Sequence, residues 1–152
     1  MSLASVRAHL AAAAPDLEVV ETGESTATVA LAAAAHGVAP AQIAKTLSLR
    51  VGDEVVLVVM GGEARLDNRK ARAVFGTKVR MLAPDEVEAI TGHPVGGVCP
   101  FGLPCPLPVY CDESLRAWDE VVPAAGSRNS ALRIAPARLA EIANARWIDI
   151  GA

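Results

Sequence analysis

Aromatic residues are scarce in this chain. Phe75, Phe101, Tyr110, Trp118 and Trp147 make up 3% of 152 residues, which argues against a platform on which successive bases stack, since each base needs an aromatic face. Positive charge is short as well: 14 Lys and Arg against 17 Asp and Glu give a formal net charge of −3 and a pI near 5.6. Proteins that lie along duplex nucleic acid draw most of their affinity from phosphate neutralisation by a basic stripe. General duplex binding, DNA included, is therefore a poor fit, while a small contact with an RNA end stays compatible. The three cysteines, Cys99, Cys105 and Cys111, form an odd set without a Cys-x-x-Cys pair, as expected in a reducing compartment. No apolar run is long enough to cross a bilayer, and Met1-Ser-Leu-Ala-Ser-Val-Arg lacks the apolar core of a signal peptide. The expectation is a cytoplasmic protein with no membrane partner.

What the chain has in quantity is aliphatic material. Hydrophobic residues reach 52% and charged residues 20%, enough for a sizeable core and too apolar for disorder. The length suits one domain spanning 1–152. Helical spacing of Leu3, Val6 and Leu10 predicts a first helix from Ser2 to Ala14, stopped by Pro15. A strand is expected over Leu17–Thr22, and a second helix capped by Ser25 or Thr26 and ended by Gly37. A short helical turn follows Pro40. Thr46–Val51 and Glu54–Met60 read as strands joined by a Gly-Asp hairpin turn. Asp67 caps a helix to Phe75, Lys78–Leu82 is a short strand, and Pro84 opens a helix closed by Gly92. Further strands are expected at Pro108–Cys111, Glu120–Val122, Ala131–Ile134 and Trp147–Ile150. Asp112 caps a short helix to Ala117, and another helix covers about Pro136–Ala143. Strands and helices alternate irregularly, so the fold class is α/β.

Three segments carry potential chemistry. The first, Gly92–Pro108, is dense in Gly and Pro: a stiff loop with bare N–H groups can hold an anion or a developing oxyanion, or it can be a plain crossover. The second is Lys45 in "AQIAKTLSL", which is either a placed cation or a lysine snorkelling at a strand edge. The third is "GSRNSALRI" from Gly126 to Ile134, an ordinary turn or a set of polar groups for a phosphate or carboxylate. The cysteines with His93 match no common zinc spacing. Cys99 with His93 or His36 as base is a nucleophile reading that competes with simple buried cysteines, and His9 is expected on the surface of the first helix. Arg65, Arg69, Lys70, Arg72, Lys78 and Arg80 against Asp67 form a local basic stretch, either a solvated helix face or a rest for an RNA backbone.

In order along the chain, "AQIAKTLSLR", "EVVLVVMGGEARLDNRKARAVFG", "TGHPVGGVCPFGL" and "AGSRNSALRIAPARLAEI" resemble the YbaK/prolyl-tRNA-synthetase-associated editing domains. The most specific elements are "AKTL" and the Gly-x-x-x-Pro loop Gly96–Pro100 followed by Phe101-Gly102. The resemblance implies a compact domain with a central mixed, partly barrel-like sheet of about seven strands surrounded by helices. It implies a free-standing aminoacyl-tRNA deacylase acting on tRNA(Pro) carrying alanine or cysteine, without metal or organic cofactor, with the 3′ acceptor end of the tRNA as partner and prolyl-tRNA synthetase as a second candidate partner. Lys45 would then hold the terminal adenosine or its phosphate. Gly96 and Gly97 would present N–H groups to the oxyanion, and Thr46, Val98, Cys99, Pro100, Phe101 and Gly102 would line the substrate site, joined by Gly126, Arg128 and Ser130. Water aided by a ribose hydroxyl, or a substrate thiol, would attack. A non-catalytic tRNA-binding or synthetase-associated module of the same fold is the alternative. Asn129-Ser130, where many members carry a Gly-rich basic turn, and the Pro-rich "LPCPLP" depart from the family pattern.

Overall fold

Gly52, at φ 60°, supplies the positive φ that a two-residue hairpin turn requires. It reverses the chain between the two longest strands. The computed structural model describes residues 2–152. In chain order the helices are α1 (Ser2–Ala13), α2 (Val29–His36), α3 (Asn68–Phe75), α4 (Pro84–Thr91) and α5 (Pro136–Ala143). The strands are β1 (Val20–Glu21), β2 (Ile43–Val51), β3 (Glu54–Gly61), β4 (Val79–Met81), β5 (Val109–Asp112), β6 (Val122–Pro123), β7 (Ser130–Ala131) and β8 (Arg146–Ile148). The hairpin β2–β3 runs in unbroken register from Val51↔Glu54 to Ala44↔Gly61. Around it the sheet is ordered β4-β2-β3-β5-β8, with β5 and β8 parallel to β3 and β6 parallel to the first residues of β2. A two-stranded sheet of β1 and β7 stands apart.

Strand alternation puts a separate cluster on each face of the hairpin, and a third, of Ala32, Ala33, Ile43, Val122 and Ala131, lies beneath α2. Leu57, Val59, Val109 and Cys111 face a larger cluster with Val6 and Leu10 of α1, Phe101, Leu115 and Leu139. Leu49, Val56 and Val58 face a smaller one with Ala71 of α3 and Ile150. Burying each such side chain contributes roughly 1.5–3 kcal/mol, so the hairpin is held from both sides.

The fold class is the mixed α/β arrangement the pattern implied, with three corrections. The sheet is open: its edges, β4 and β8, do not pair, so it is not barrel-like. The cap of α2 is Thr28, whose side chain accepts from the Leu31 N–H, because Thr26 is committed elsewhere through its N–H and hydroxyl to the Arg128 carbonyl. The strand expected at Ala131–Ile134 is broken, because the Leu132 N–H turns to Pro123 O while Ile134 bridges Val121. Asp67 and Asp112 cap as expected, accepting from Arg69 and Lys70 and from Ser114. Among the described residues no helix is long and apolar enough to cross a membrane.

Candidate functional site

One edge of β2 is shared by two strands and covered by neither in the middle. Pairing with β6 stops at Ala44, and pairing with β4 starts at Leu49. Which backbone groups face this gap follows from alternation in an antiparallel ladder. The Leu57 N–H donates to Pro108 O at 2.9 Å, away from β2, so its partner Ser48 directs its own groups outward. The Leu82 N–H accordingly donates to Ser48 O at 3.0 Å. Thr46, two residues earlier, turns its N–H and C=O the same way, into the opening.

A cavity of about 290 Å³ fills the gap. Its walls come from Thr26–Thr28, Val29 and Ala32 of α2, Val87 of α4, Val95, Gly96 and Val98, and Ala124, Ser130 and Ala131. Lys45 also lines it and is the one charged residue among the described residues that do. Half-buried, it donates through Nζ to Gly62 O at 3.2 Å and to Ala64 O. Burial first, and then the neighbouring Arg65, hold its pKa below the usual lysine value. It is a fixed cation with one of its three donor directions left over. Beside it, the Thr46 hydroxyl oxygen is buried and has no partner among the described residues.

The glycine loop forms the opposite wall. Gly96 has φ 92°, and a Cβ there would come within 2.8 Å of the Ala27 Cβ. At Gly97 a Cβ would meet the Ser127 carbonyl carbon at 2.7 Å, so the loop lies flat against the 126–131 turn. The Gly97 N–H donates to Pro94 O at 2.9 Å, and its carbonyl accepts from Gly126 N–H at 3.0 Å. Gly97 is thus spoken for and cannot offer the amide expected of it. The N–H groups of Gly96 and Val98 have no acceptor among the described residues, and both residues line the cavity.

Of the residues singled out from the sequence, Lys45, Thr46, Gly96, Val98 and Ser130 meet at this cavity. Cys99 and Phe101 do not: both are fully buried in the larger core. Pro100 and Gly102 line a separate cavity of about 740 Å³ between the Pro-rich loop and the end of α5. Gly126 packs on Ser2 at the start of α1, and the exposed Arg128 donates from Nε to Val95 O at 2.9 Å, fastening turn to loop. Burial pushes the Cys99 thiol up to about 12, so no thiolate is available for attack at neutral pH. His9 is only partly exposed: it accepts from the Gly102 N–H at 3.0 Å and meets the Phe101 ring edge-on. As site residues, Ser48, Thr26 and Ala124 were not marked by the sequence, because they reach the cavity only through pairings far apart in the chain.

A family described as the aminoacyl-tRNA editing domain matches residues 23–142. The chain belongs to that family. The matched span holds every wall of the cavity. Among relatives, the "Uncharacterized protein YwhH" of Bacillus subtilis is 49% identical over 99% of this chain and 97% of its own length. The "Putative Cys-tRNA(Pro)/Cys-tRNA(Cys) deacylase EbsC" of Enterococcus faecalis is 32% identical over 75% of this chain and 71% of its own. A crystal structure described as "a putative trans-editing enzyme for prolyl tRNA synthetase" superposes with a TM-score of 0.92 at 35% identity, over 99% of this chain and 97% of that one. This editing domain thus shares both sequence and backbone with proteins described as deacylating or trans-editing.

Proposed function

We propose that this editing domain hydrolyses the ester of mischarged aminoacyl-tRNA, with tRNA(Pro) carrying alanine or cysteine as its substrate. The observation that carries the reading is the cavity between β4 and β6. It is small and mostly apolar, with Lys45 as the one cation among the described residues that line it, Thr46 with its unpartnered hydroxyl, and Gly96 and Val98 in its wall. A pocket of that size accepts a small aminoacyl group. Discrimination of this kind is needed because a synthetase pocket for a small apolar amino acid rejects similar ones by only ~10²-fold.

In this reading Lys45 uses its remaining donor on the terminal adenosine or its phosphate and so sets the ester in the cavity. Gly96 and Val98 take the role that Gly97 cannot fill, donating to the carbonyl oxygen as it becomes an oxyanion. Each such donor is worth roughly 3–4 kcal/mol in well-studied enzymes. Water adds to the ester carbonyl carbon, the C–O bond to the ribose breaks, and the ribose hydroxyl leaves with a proton. Thr46 and Ser130 supply hydroxyls at the pocket wall. Most of the rate enhancement is positioning, so no Ser-His-Asp set is required. The acidic chain has little general attraction for tRNA, so prolyl-tRNA synthetase is a fitting cytoplasmic partner to deliver the acceptor end.

The test is deacylation of Ala-, Cys-, Ser- and Pro-tRNA(Pro) by wild type and Lys45→Ala. Selective hydrolysis of Ala- or Cys-tRNA(Pro), lost in the variant, is the expected result. Retained tRNA binding with no hydrolysis of any species would replace this reading by a non-catalytic tRNA-binding module.

A further inference from the structure

The loop carrying Gly96 and Val98 is held from behind by a histidine that the chemistry above does not use. His93 is completely buried. It stands at the start of the loop, and its Nε2 lies 2.7 Å from the carbonyl of Phe101 at the loop's end. A carbonyl only accepts, so Nε2 carries the proton and donates across the loop, bridging its two ends. Nδ1 is then an acceptor, 2.8 Å from Ser2 Oγ. The one Ser2 hydroxyl proton goes to Nδ1, so Gly126 meets Ser2 by packing alone, and the Gly126 N–H donates to Gly97 O at 3.0 Å. One imidazole therefore bonds both ends of the loop and the start of α1, where Ser2 packs against the turn on which Gly97 lies.

We propose that His93 is a positioning residue for hydrolysis: it closes the loop from Phe101 and, by holding Ser2 packed against Gly126, backs the Gly97 peptide, so that the flanking Gly96 and Val98 N–H groups aim into the cavity. The proposal rests on those amides being the oxyanion donors. Cys99, whose Sγ is 3.7 Å from Nε2, is a neighbour of the clasp rather than its partner, since Nε2 is already bonded to Phe101. Any imidazole replacement that keeps a donor toward Phe101 O preserves part of the clasp, and an apolar one removes it.

His93→Gln, His93→Leu and Ser2→Ala test this by two readouts. The first is steady-state deacylation of mischarged tRNA(Pro). His93→Leu should lower kcat at least ~10-fold, because small misplacements of catalytic groups are costly, while KM for the tRNA stays unchanged. His93→Gln should recover part of the loss, and Ser2→Ala should lower kcat in the same direction. The second is amide hydrogen exchange at Gly97, whose bond to Pro94 O reports loop order without any substrate. Its protection should fall in His93→Leu while that of Leu57 in β3 holds. Unchanged kcat together with unchanged Gly97 exchange in folded His93→Leu overturns the proposal. Should that variant fail to fold, Ser2→Ala, which removes one hydroxyl at the edge of the core, decides by the same two readouts. Should wild type hydrolyse none of the charged tRNAs, the proposed function fails by itself and the exchange measurement still decides whether His93 orders the loop.

Discussion

Replacing Thr46 by valine should make the protein more stable and less active. The hydroxyl oxygen of Thr46 is buried without a partner among the described residues, and a buried hydroxyl left unsatisfied costs ~1–3 kcal/mol. Valine has the same branched shape and keeps the strand preference of the site, so the substitution removes the penalty without opening a hole. A gain of about 1 kcal/mol is expected, equivalent to a rise in Tm of roughly 2–4 °C for a chain of this length. Turnover moves the other way. A hydrogen bond from substrate to Thr46 is worth about 1 kcal/mol if neutral and up to ~3 kcal/mol if charged, so kcat/KM on the preferred mischarged tRNA should fall roughly 5- to 160-fold. Thermal and urea melts give the first number and steady-state deacylation the second. A Thr46→Val protein that melts lower than wild type and deacylates at the wild-type rate would refute the reasoning, because the hydroxyl would then be structural and indifferent to substrate.

Gly97→Ala puts a methyl 2.7 Å from the Ser127 backbone, so the loop must move; kcat should drop at least ~10-fold with helix content unchanged, as read by deacylation and circular dichroism. Cys99→Ala should keep activity, since its buried thiol is pushed up to about 12, at a stability cost of about 1–2 kcal/mol for the lost core volume; abolished activity in a folded variant would restore the nucleophile reading. The pH dependence follows from His93 and His36, whose pKa values burial lowers from the ordinary 6.5. As pH falls through 6.5 the unfolded chain takes up protons that the folded chain resists, so stability should decline from pH 7 toward pH 5. His93→Gln should flatten that slope in urea melts, leaving the share that belongs to His36.

Local chemistry made much of the fold readable. The hairpin over Gly52-Asp53, the Asp67 and Asp112 caps and the Pro84 helix start each depend on residues a few positions apart, and each stands where the pattern put it. The ends of the short strands did not, because β1 and β7 are set by one another across more than a hundred positions: Val20 pairs with Ala131. The same distance hid the cap of α2, since nothing near Thr26 announces that Arg128 will claim it. At the site, "AKTL" and the glycine loop marked two walls of the cavity. They could not show that Gly97 gives its N–H to Pro94, nor that Phe101 turns inward against His9. Most of all, the shared edge of β2 is invisible to any window of sequence, because it exists only once β4 and β6 have both docked on it.

That shared edge explains why the unusual groups of this protein collect in one place. A strand covered along its whole length would pair the Thr46 backbone and leave no cavity; a strand covered at neither end would not hold Lys45 and Ser48 rigidly. Partial cover on both sides keeps the middle of β2 fixed and unpaired. Around it stand a lysine held below its usual pKa, a hydroxyl with no partner and a glycine at φ 92°. The lysine and the hydroxyl are each unfavourable for folding alone, and features of that kind persist where the surrounding structure over-determines them and function needs them, while glycine takes its φ freely. Backbone amides and a single cation are enough for an ester whose hydrolysis depends on geometry. It follows that substitutions which relax this cavity, Thr46→Val foremost, should trade activity for stability, whereas equally conservative changes at Leu49 or Val56 in the smaller core should lower stability and leave kcat alone.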